Sequence, residues 1–154
     1  MTRRHLFGLV WIAAVASAAM AVRALVQSGM TLYQEIPVIP GFFSLRYTRN
    51  PGAAFSLFAG LPAGVRLPFL IGVGLVALAG IAWMYVREGN ESRVLRVGLT
   101  TLAGGASANL LERFLSGDVV DYLDFFVGSY HWPAFNLADV AINVGVGLLL
   151  LDAT

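Results

Sequence analysis

The stretch LPFLIGVGLVALAGIAWMYV, residues 67–86, decides the fold class of this chain. It carries no charged side chain and matches the about 20 apolar residues that a helix needs to cross a lipid bilayer. Toward the N-terminus, the sequence LFGLVWIAAVASAAMAV forms a second uncharged run between His5 and Arg23. We therefore predict membrane-spanning helices over residues 67–86 and about 6–26.

The composition supports a membrane location for the whole chain. Of its 154 residues, 58% are hydrophobic and only 12% are charged, and the mean hydropathy is +0.75. An ordinary soluble domain of this length is far more polar. Because so short a chain supplies only a few spans, we predict a single integral membrane domain over residues 1–154.

The charged residues and the cysteine count exclude several functions. The formal net charge is +1, and the arginines are scattered rather than clustered in a stripe, so we expect no nucleic-acid partner. The sequence contains no cysteine, which excludes disulfides and a thiolate nucleophile.

Two further stretches are predicted to span the membrane, although their hydropathy is weaker. Residues 97–115 carry polar side chains near their far end, and residues 136–154 begin in a polar sequence. As a helix, residues 136–154 would extend about 28 Å at 1.5 Å per residue. The predicted fold class is therefore an all-α membrane protein with four transmembrane helices.

The arginine positions predict the orientation of these spans. Arginines precede the first span and crowd the connection between the second and third, and such residues remain on the cytoplasmic side. We predict that both termini are cytoplasmic and that segments 28–66 and 116–135 lie together on the outer face. A cleavable signal peptide is the alternative for the N-terminus. Its removal would leave three spans, whereas pairing the two outer segments is expected to need an even number. These arginines are Arg3, Arg4, Arg87, Arg93 and Arg96.

The first outer segment contains the sequence IPVIPGFFSLRYTRNPGAAFSL, residues 36–57. Its apolar residues Phe43, Leu45 and Tyr47 alternate with polar ones, which is the period of a half-buried strand. Pro51 and Gly52 then predict a turn. We expect a small β element on the membrane surface here, and a short helix or loop in segment 116–135.

Four aspartates lie at or after the end of the third span. Asp118, Asp121 and Asp124 follow that span, whereas Asp139 lies inside the start of the fourth, in WPAFNLADVAINVG. An ionisable residue at membrane depth is a candidate functional residue. Asn136 and Asn143 share its predicted helix face. The spacing equally fits a capping box, with Asn136 as the N-cap and Asp139 at the third helical position.

The third span carries a polar face made by Gly105, Asn109, Glu112 and Arg113. Small residues around Gly105 favour close helix contacts. The spacing alone favours a structural interpretation, in which Glu112 and Arg113 form a buried pair that stabilises packing.

Three motifs occur in order along the chain and carry a family resemblance. They are IPVIPGFFSLRYTRNPGAAFS, GGASANLLERFLSGDVVDYLDFF and WPAFNLADVAIN. Over roughly residues 6–152 the chain closely resembles the bacterial lipoprotein signal peptidases, also called signal peptidase II, which are aspartic membrane proteases. The resemblance implies that Asp121 and Asp139 are the catalytic pair. It maps the polar supporting positions to Asn50, Asn109, Glu112, Arg113 and Asn136.

The resemblance also implies a substrate and a setting. The substrate is a prolipoprotein, cleaved just before its diacylglyceryl-modified cysteine in the bacterial cytoplasmic (inner) membrane. The active site then lies at the extracytoplasmic face, and membrane lipid surrounds the protein. We expect a monomer without a metal or other cofactor. Because the aspartate pair must share a water molecule, Asp121 and Asp139 are expected within about 8 Å of each other.

The chain departs from the family pattern at four positions. Ala108 replaces a glycine and Glu112 replaces an aspartate, while Ala19 and Arg23 stand where the family often has an acid and a lysine. Arg23 keeps the charge, but Ala19, Ala108 and Glu112 motivate one alternative, a catalytically inactive relative that binds signal peptides or lipoproteins. An inactive relative is expected to lose its aspartates first, and both are retained.

Overall fold

The computed structural model describes residues 3–52, 57–88 and 92–154. Part of the first outer segment, 53–56, and part of the connection after the second span, 89–91, lie outside the described residues. The regular elements are α1 (Arg3–Gly29), β1 (Glu35–Ile39), β2 (Phe43–Asn50), α2 (Ala63–Glu88), α3 (Arg93–Ser116), β3 (Val119–Val127), β4 (Tyr130–His131) and α4 (Leu137–Asp152).

Each predicted span corresponds to one helix. Of the helices that the structure describes, α1 and α2 are long and apolar enough to cross a membrane. Helix α4 has 16 residues, fewer than the about 20 that a full span needs. The transmembrane character of α3 and α4 therefore stays a prediction.

Local sequence sets both ends of helix α3. The Ser92 side chain accepts hydrogen bonds from the backbone N–H groups of Val94 and Leu95, so it satisfies the first exposed donors of the helix. Gly117 ends the helix with a φ of 81°, a left-handed conformation that glycine adopts without a steric penalty. The chain then turns directly into β3.

Helix α3 lies at the centre and contacts α1, α2 and α4. These close contacts depend on glycines, which have no side chain. A Cβ atom on Gly104 would lie 2.6 Å from the Cβ of Val15 on α1, and one on Gly145 of α4 would lie 2.7 Å from Leu102. The small residues of this region thus allow the close helix packing that the sequence predicts.

The strands form an antiparallel sheet in the order β1-β2-β3-β4. The predicted β element is present, and β3 joins segments 28–66 and 116–135 by pairing with β2. The expectation of a short helix or loop in segment 116–135 is wrong for most of that segment. Its VVDYLDFFV sequence is rich in β-branched and aromatic residues, which favour a strand.

Strand β2 departs from simple alternation. Tyr47 is buried as expected, but Ser44 on the opposite face is fully buried too. The β2–β3 register shifts between Leu45 and Thr48, so side chains on the two sides of this bulge do not keep one alternation. The core beneath the sheet contains Val26, Tyr47, Val120 and Tyr122.

Candidate active site

Asp121 lies within strand β3 and is 4% exposed. Its two carboxylate oxygens accept hydrogen bonds from the side-chain amides of Asn50, at 3.0 Å, and Asn136, at 2.9 Å. Both amides are themselves held, because the Asn50 oxygen accepts from the Gly52 N–H and the Asn136 oxygen accepts from the Asp139 N–H. The position of the Asp121 carboxyl is therefore fixed from two sides.

Asp139 lies in the first turn of α4, where the capping box is present. Its Oδ2 accepts from the backbone N–H of Asn136 at 3.2 Å, while its Oδ1 accepts from the side-chain amide of Asn109 at 2.8 Å. Asp139 can therefore be both a capping residue and a candidate functional residue. The same carboxyl caps the helix and reaches a side chain on α3.

Asn136 and Asn109 join the two aspartates. The Asn136 amide that donates to Asp121 also donates to the Asn109 oxygen at 3.3 Å, and Asn109 donates to Asp139. Asp121 and Asp139 line one cavity of about 520 Å³. The two aspartates, 18 positions apart in sequence, therefore share one cavity although they belong to different elements. The cavity is lined further by Leu70, Val73, Gly74, Ala106, Leu110, Arg113, Trp132, Phe135, Ile142 and Asn143.

The environment of Asp121 favours its protonated form. Burial, followed by the negative charge of Asp139, raises the pKa of Asp121 from its ordinary 3.8 to about 7. The hydrogen bonds from Asn50 and Asn136 oppose this shift because they stabilise the carboxylate. The pair therefore retains a proton near neutral pH.

Arg113 lines this cavity and binds two backbone carbonyl groups beside it. Its guanidinium donates to the backbone carbonyl of Gly52 at 2.8 Å and to that of Asn109 at 3.2 Å. The same turn, at Asn50 and Gly52, supports Asp121. Arg113 thus connects helix α3 to the loop that positions one aspartate.

Glu112 does not line the cavity, and the predicted Glu112–Arg113 pair is wrong. Glu112 is 4% exposed and pairs with Arg23 of α1 at 2.5 Å. It also accepts from the backbone N–H of Val120 at 2.9 Å. Adjacent residues on an α-helix point about 100° apart, so Glu112 and Arg113 face different neighbours. Glu112 is a link between α1, α3 and β3.

The neighbouring acids lie away from the cavity. Asp118 pairs with Arg49 at 2.9 Å on the surface. Asp124 is 1% exposed and contacts the His131 ring at 2.9 Å, so it holds β4 against β3. The structure thus separates Asp121 from the two acids nearest to it in sequence.

Several walls of the cavity were not predicted from the sequence. Trp132 and Phe135 line it from the loop after β4, and Leu70 and Val73 line it from α2. The WPAF sequence directly before Asn136 was the available signal for the first two, whereas no pattern marked the α2 residues.

Comparison with known proteins identifies the family. A family model described as signal peptidase (SPase) II matches residues 11–154. The chain belongs to this family. A lipoprotein signal peptidase of Desulforapulum autotrophicum is 48% identical over 126 residues, which cover 82% of this chain and 78% of that protein. One of Geobacter metallireducens is 47% identical over 132 residues, covering 86% and 80%.

The fold of this signal peptidase II family member matches solved structures. A bacterial membrane enzyme solved by the in meso method at 2.3 Å resolution has a TM-score of 0.85 and 24% identity, covering 96% of this chain and 87% of that one. A second such structure, at 1.9 Å, has a TM-score of 0.83 and 24% identity, covering 96% and 92%. The arrangement of helices and sheet is therefore shared.

Proposed function

We propose that this chain is a membrane aspartic endopeptidase that removes signal peptides from prolipoproteins, with Asp121 and Asp139 as its catalytic pair. Membership in the signal peptidase II family supports the protease activity. One observation carries the residue assignment: both carboxyl groups face a single cavity and are joined through Asn136 and Asn109.

The mechanism uses one proton between two carboxyl groups. The ionised carboxylate takes a proton from water, while the protonated one polarises the scissile carbonyl. The water oxygen bonds to the carbonyl carbon, and the roles then exchange so that the leaving amine receives a proton as the C–N bond breaks. The raised pKa of Asp121 supports retention of that shared proton at neutral pH. The proton belongs to the pair, since coupled groups titrate together.

The walls of the cavity fit the proposed substrate. Leu70 and Val73 of α2 and Ile142 of α4 make an apolar wall beside the aspartates. An apolar signal segment fits there, and a diacylglyceryl chain on the cysteine after the scissile bond remains in lipid. We propose cleavage just before that cysteine.

The proposed setting is the bacterial cytoplasmic membrane. All four helices span it, both termini are cytoplasmic, and residues 1–154 form one domain that acts as a monomer without a cofactor. Helix α4, about 24 Å long at 1.5 Å per residue, crosses most of a 30 Å core. The sheet and the aspartates then lie at the extracytoplasmic face.

The departures from the family pattern lie outside the cavity, which favours activity over an inactive relative. Ala19 and Ala108 are buried together against Ala138. Glu112 and Arg23 keep opposite charges and pair with each other. The changes therefore alter helix packing while the lining of the cavity keeps its polar groups.

The proposed function is tested with purified protein and a lipidated prolipoprotein. Loss of the signal peptide is measured by mass spectrometry, for the unchanged chain and for Asp121→Asn and Asp139→Asn. We expect cleavage by the unchanged chain and none by either variant. Asp118→Asn is the matched control, because Asp118 lies three positions away on the surface. Cleavage that survives Asp121→Asn but not Asp118→Asn would refute the assignment.

A further inference from the structure

A second cavity of about 310 Å³ lies between α1, α2 and α3, on side chains separate from the aspartate site. Its walls are largely apolar. Along α2 it runs from Leu78 to Val86, which is about 12 Å at 1.5 Å per residue. The other lining residues are His5, Gly8, Leu9, Ile12, Ile81, Ala82, Tyr85, Leu99, Thr100, Ala103 and Ser107.

The three helices meet at one end of this cavity. A Cβ atom on Gly8 would lie 2.5 Å from the Tyr85 hydroxyl oxygen and 3.5 Å from the Thr100 methyl group. The Tyr85 hydroxyl donates to the backbone carbonyl of Arg4 at 2.9 Å. Gly8, Tyr85 and Thr100 therefore mark the same level on α1, α2 and α3.

Two arginines lie one helical turn beyond that level. Arg4 precedes Gly8 by four positions on α1, and Arg96 precedes Thr100 by four positions on α3, so each shares a face with a cavity residue. Each has a buried guanidinium nitrogen without a hydrogen-bond partner among the described residues, Nη1 in Arg4 and Nε in Arg96. A buried N–H group without an acceptor is unfavourable. Neither arginine lines the cavity, but helix periodicity places one guanidinium on α1 and one on α3 next to its end, where the Nη2 atom of Arg4 lies 3.0 Å from Nε2 of the lining residue His5.

We propose that this cavity is a binding site for an anionic phospholipid. One acyl chain occupies the apolar cavity, and the phosphate lies between the guanidinium groups of Arg4 and Arg96. Guanidinium groups donate paired hydrogen bonds to phosphate oxygens. The unpartnered Nη1 of Arg4 and Nε of Arg96 belong to such groups. The site rests on the proposed membrane location of the helices and is independent of the chemistry at the aspartates.

The depth and the apolar walls of the cavity suit a lipid chain. The 12 Å depth approaches the about 15 Å that one leaflet contributes to a 30 Å hydrocarbon core. Because the three helices are proposed to lie in that core, acyl chains are the molecules that surround the cavity.

The test uses the full-length purified protein and native mass spectrometry, with dioleoylphosphatidylglycerol and dioleoylphosphatidylcholine as the probes. We expect the unchanged protein to retain phosphatidylglycerol in preference to phosphatidylcholine. The double variant Arg4→Gln with Arg96→Gln should bind phosphatidylglycerol about tenfold more weakly, because both phosphate contacts are lost. The variant Arg3→Gln with Arg93→Gln is the matched control, since it removes the same charge from exposed arginines at the same end.

A second variant tests the cavity itself. Ala82→Trp places a large side chain in the space proposed for the acyl chain, so phosphatidylglycerol binding should fall although every arginine remains. A cooperative thermal unfolding transition shows that each variant is folded, and an inactive protein that still binds lipid would refute the proposed function alone. Equal losses in the two arginine variants would show charge attraction without a site. Unchanged binding in the Arg4 and Arg96 variant would also overturn the proposal.

Discussion

The Asp121 carboxyl sets the expected pH dependence of cleavage. Its pKa is raised to about 7 by burial and by the charge of Asp139. Below that pH the pair holds the proton that the mechanism needs, and above it the pair has lost that proton. We therefore expect kcat/KM to fall as the pH rises through about 7. A rate that stays constant up to pH 9 would contradict the shared proton, and a pH series with one lipidated substrate measures it.

The same carboxyl has a consequence for stability. Because its pKa is raised from 3.8 to about 7 on folding, the unfolded chain releases this proton at lower pH than the folded chain. The contribution of Asp121 to the free energy of unfolding therefore decreases as the pH rises from about 4 to 7. Asp121→Asn removes this dependence. The Tm of the variant minus the Tm of the unchanged protein should be larger at pH 8 than at pH 5. Cleavage by the variant should be abolished. A Tm difference that is the same at both values would contradict the assignment of this pKa.

Glu112 tests whether a buried charge pair holds the helices. Glu112→Ala leaves Arg23 without its partner and the Val120 N–H without its acceptor. We expect the free energy of unfolding to fall by about 3 kcal/mol and the abundance of folded protein to fall with it. Glu112→Asp should retain most activity. The matched control is Glu35→Ala, at an exposed position of β1.

Abundance and cleavage are measured separately for these Glu112 variants. Cleavage per folded molecule should change little in Glu112→Ala, because Glu112 does not line the cavity. Normal abundance without cleavage would show instead that Glu112 acts on the substrate or on the aspartates.

Individual residues differ in how far the sequence predicts them. Asp121 and Asp139 were singled out because ordered motifs surround them and acids at membrane depth are rare without a function, and in the structure both line one cavity. The partner of Glu112 was not, since Arg23 lies 89 positions away and only tertiary packing brings the two together. The nearest opposite charge in sequence, Arg113, faces the cavity instead. Sequence proximity is a poor guide to pairing on a helix, where adjacent residues face different ways.

At the scale of elements, the contact between α3 and α4 positions Asp139. A Cβ atom on Gly105 would collide with the carbonyl oxygen of Ala138, one residue before Asp139. Gly105→Ala should therefore displace the first turn of α4 and lower kcat, with a loss of about 1 to 3 kcal/mol in stability. Gly80→Ala is the control, because nothing lies within 4 Å of that position on α2. Equal activity in the two variants would show that α4 tolerates the shift.

The elements themselves were largely predictable. The apolar runs predicted α1 and α2 because span length and charge-free sequence are strong signals. Strand β3 was not predicted, since its VVDYLDFFV sequence contains two aspartates, a residue type that is depleted in strands. One of them, Asp124, is buried against His131 and supports the strand pairing.

At the scale of the whole molecule, the proposed topology is directly testable because the chain has no cysteine. Ser129→Cys, in the hairpin between β3 and β4, should react in intact cells with a maleimide that cannot cross membranes. Thr154→Cys should react only after permeabilisation, because the C-terminus is expected in the cytoplasm. Both positions are exposed, so accessibility within the protein is matched. If only Thr154→Cys reacted in intact cells, the orientation would be opposite to the one proposed.

The packing of Ala19 and Ala108 against Ala138 limits which side chains either position accepts. The resemblance implies an acid at position 19 and a glycine at position 108, and in this fold both positions belong to one buried cluster. A side chain larger than alanine must find room within that cluster, whereas a glycine leaves space there. The residues tolerated at positions 19 and 108, which are remote in sequence, are therefore expected to depend on each other.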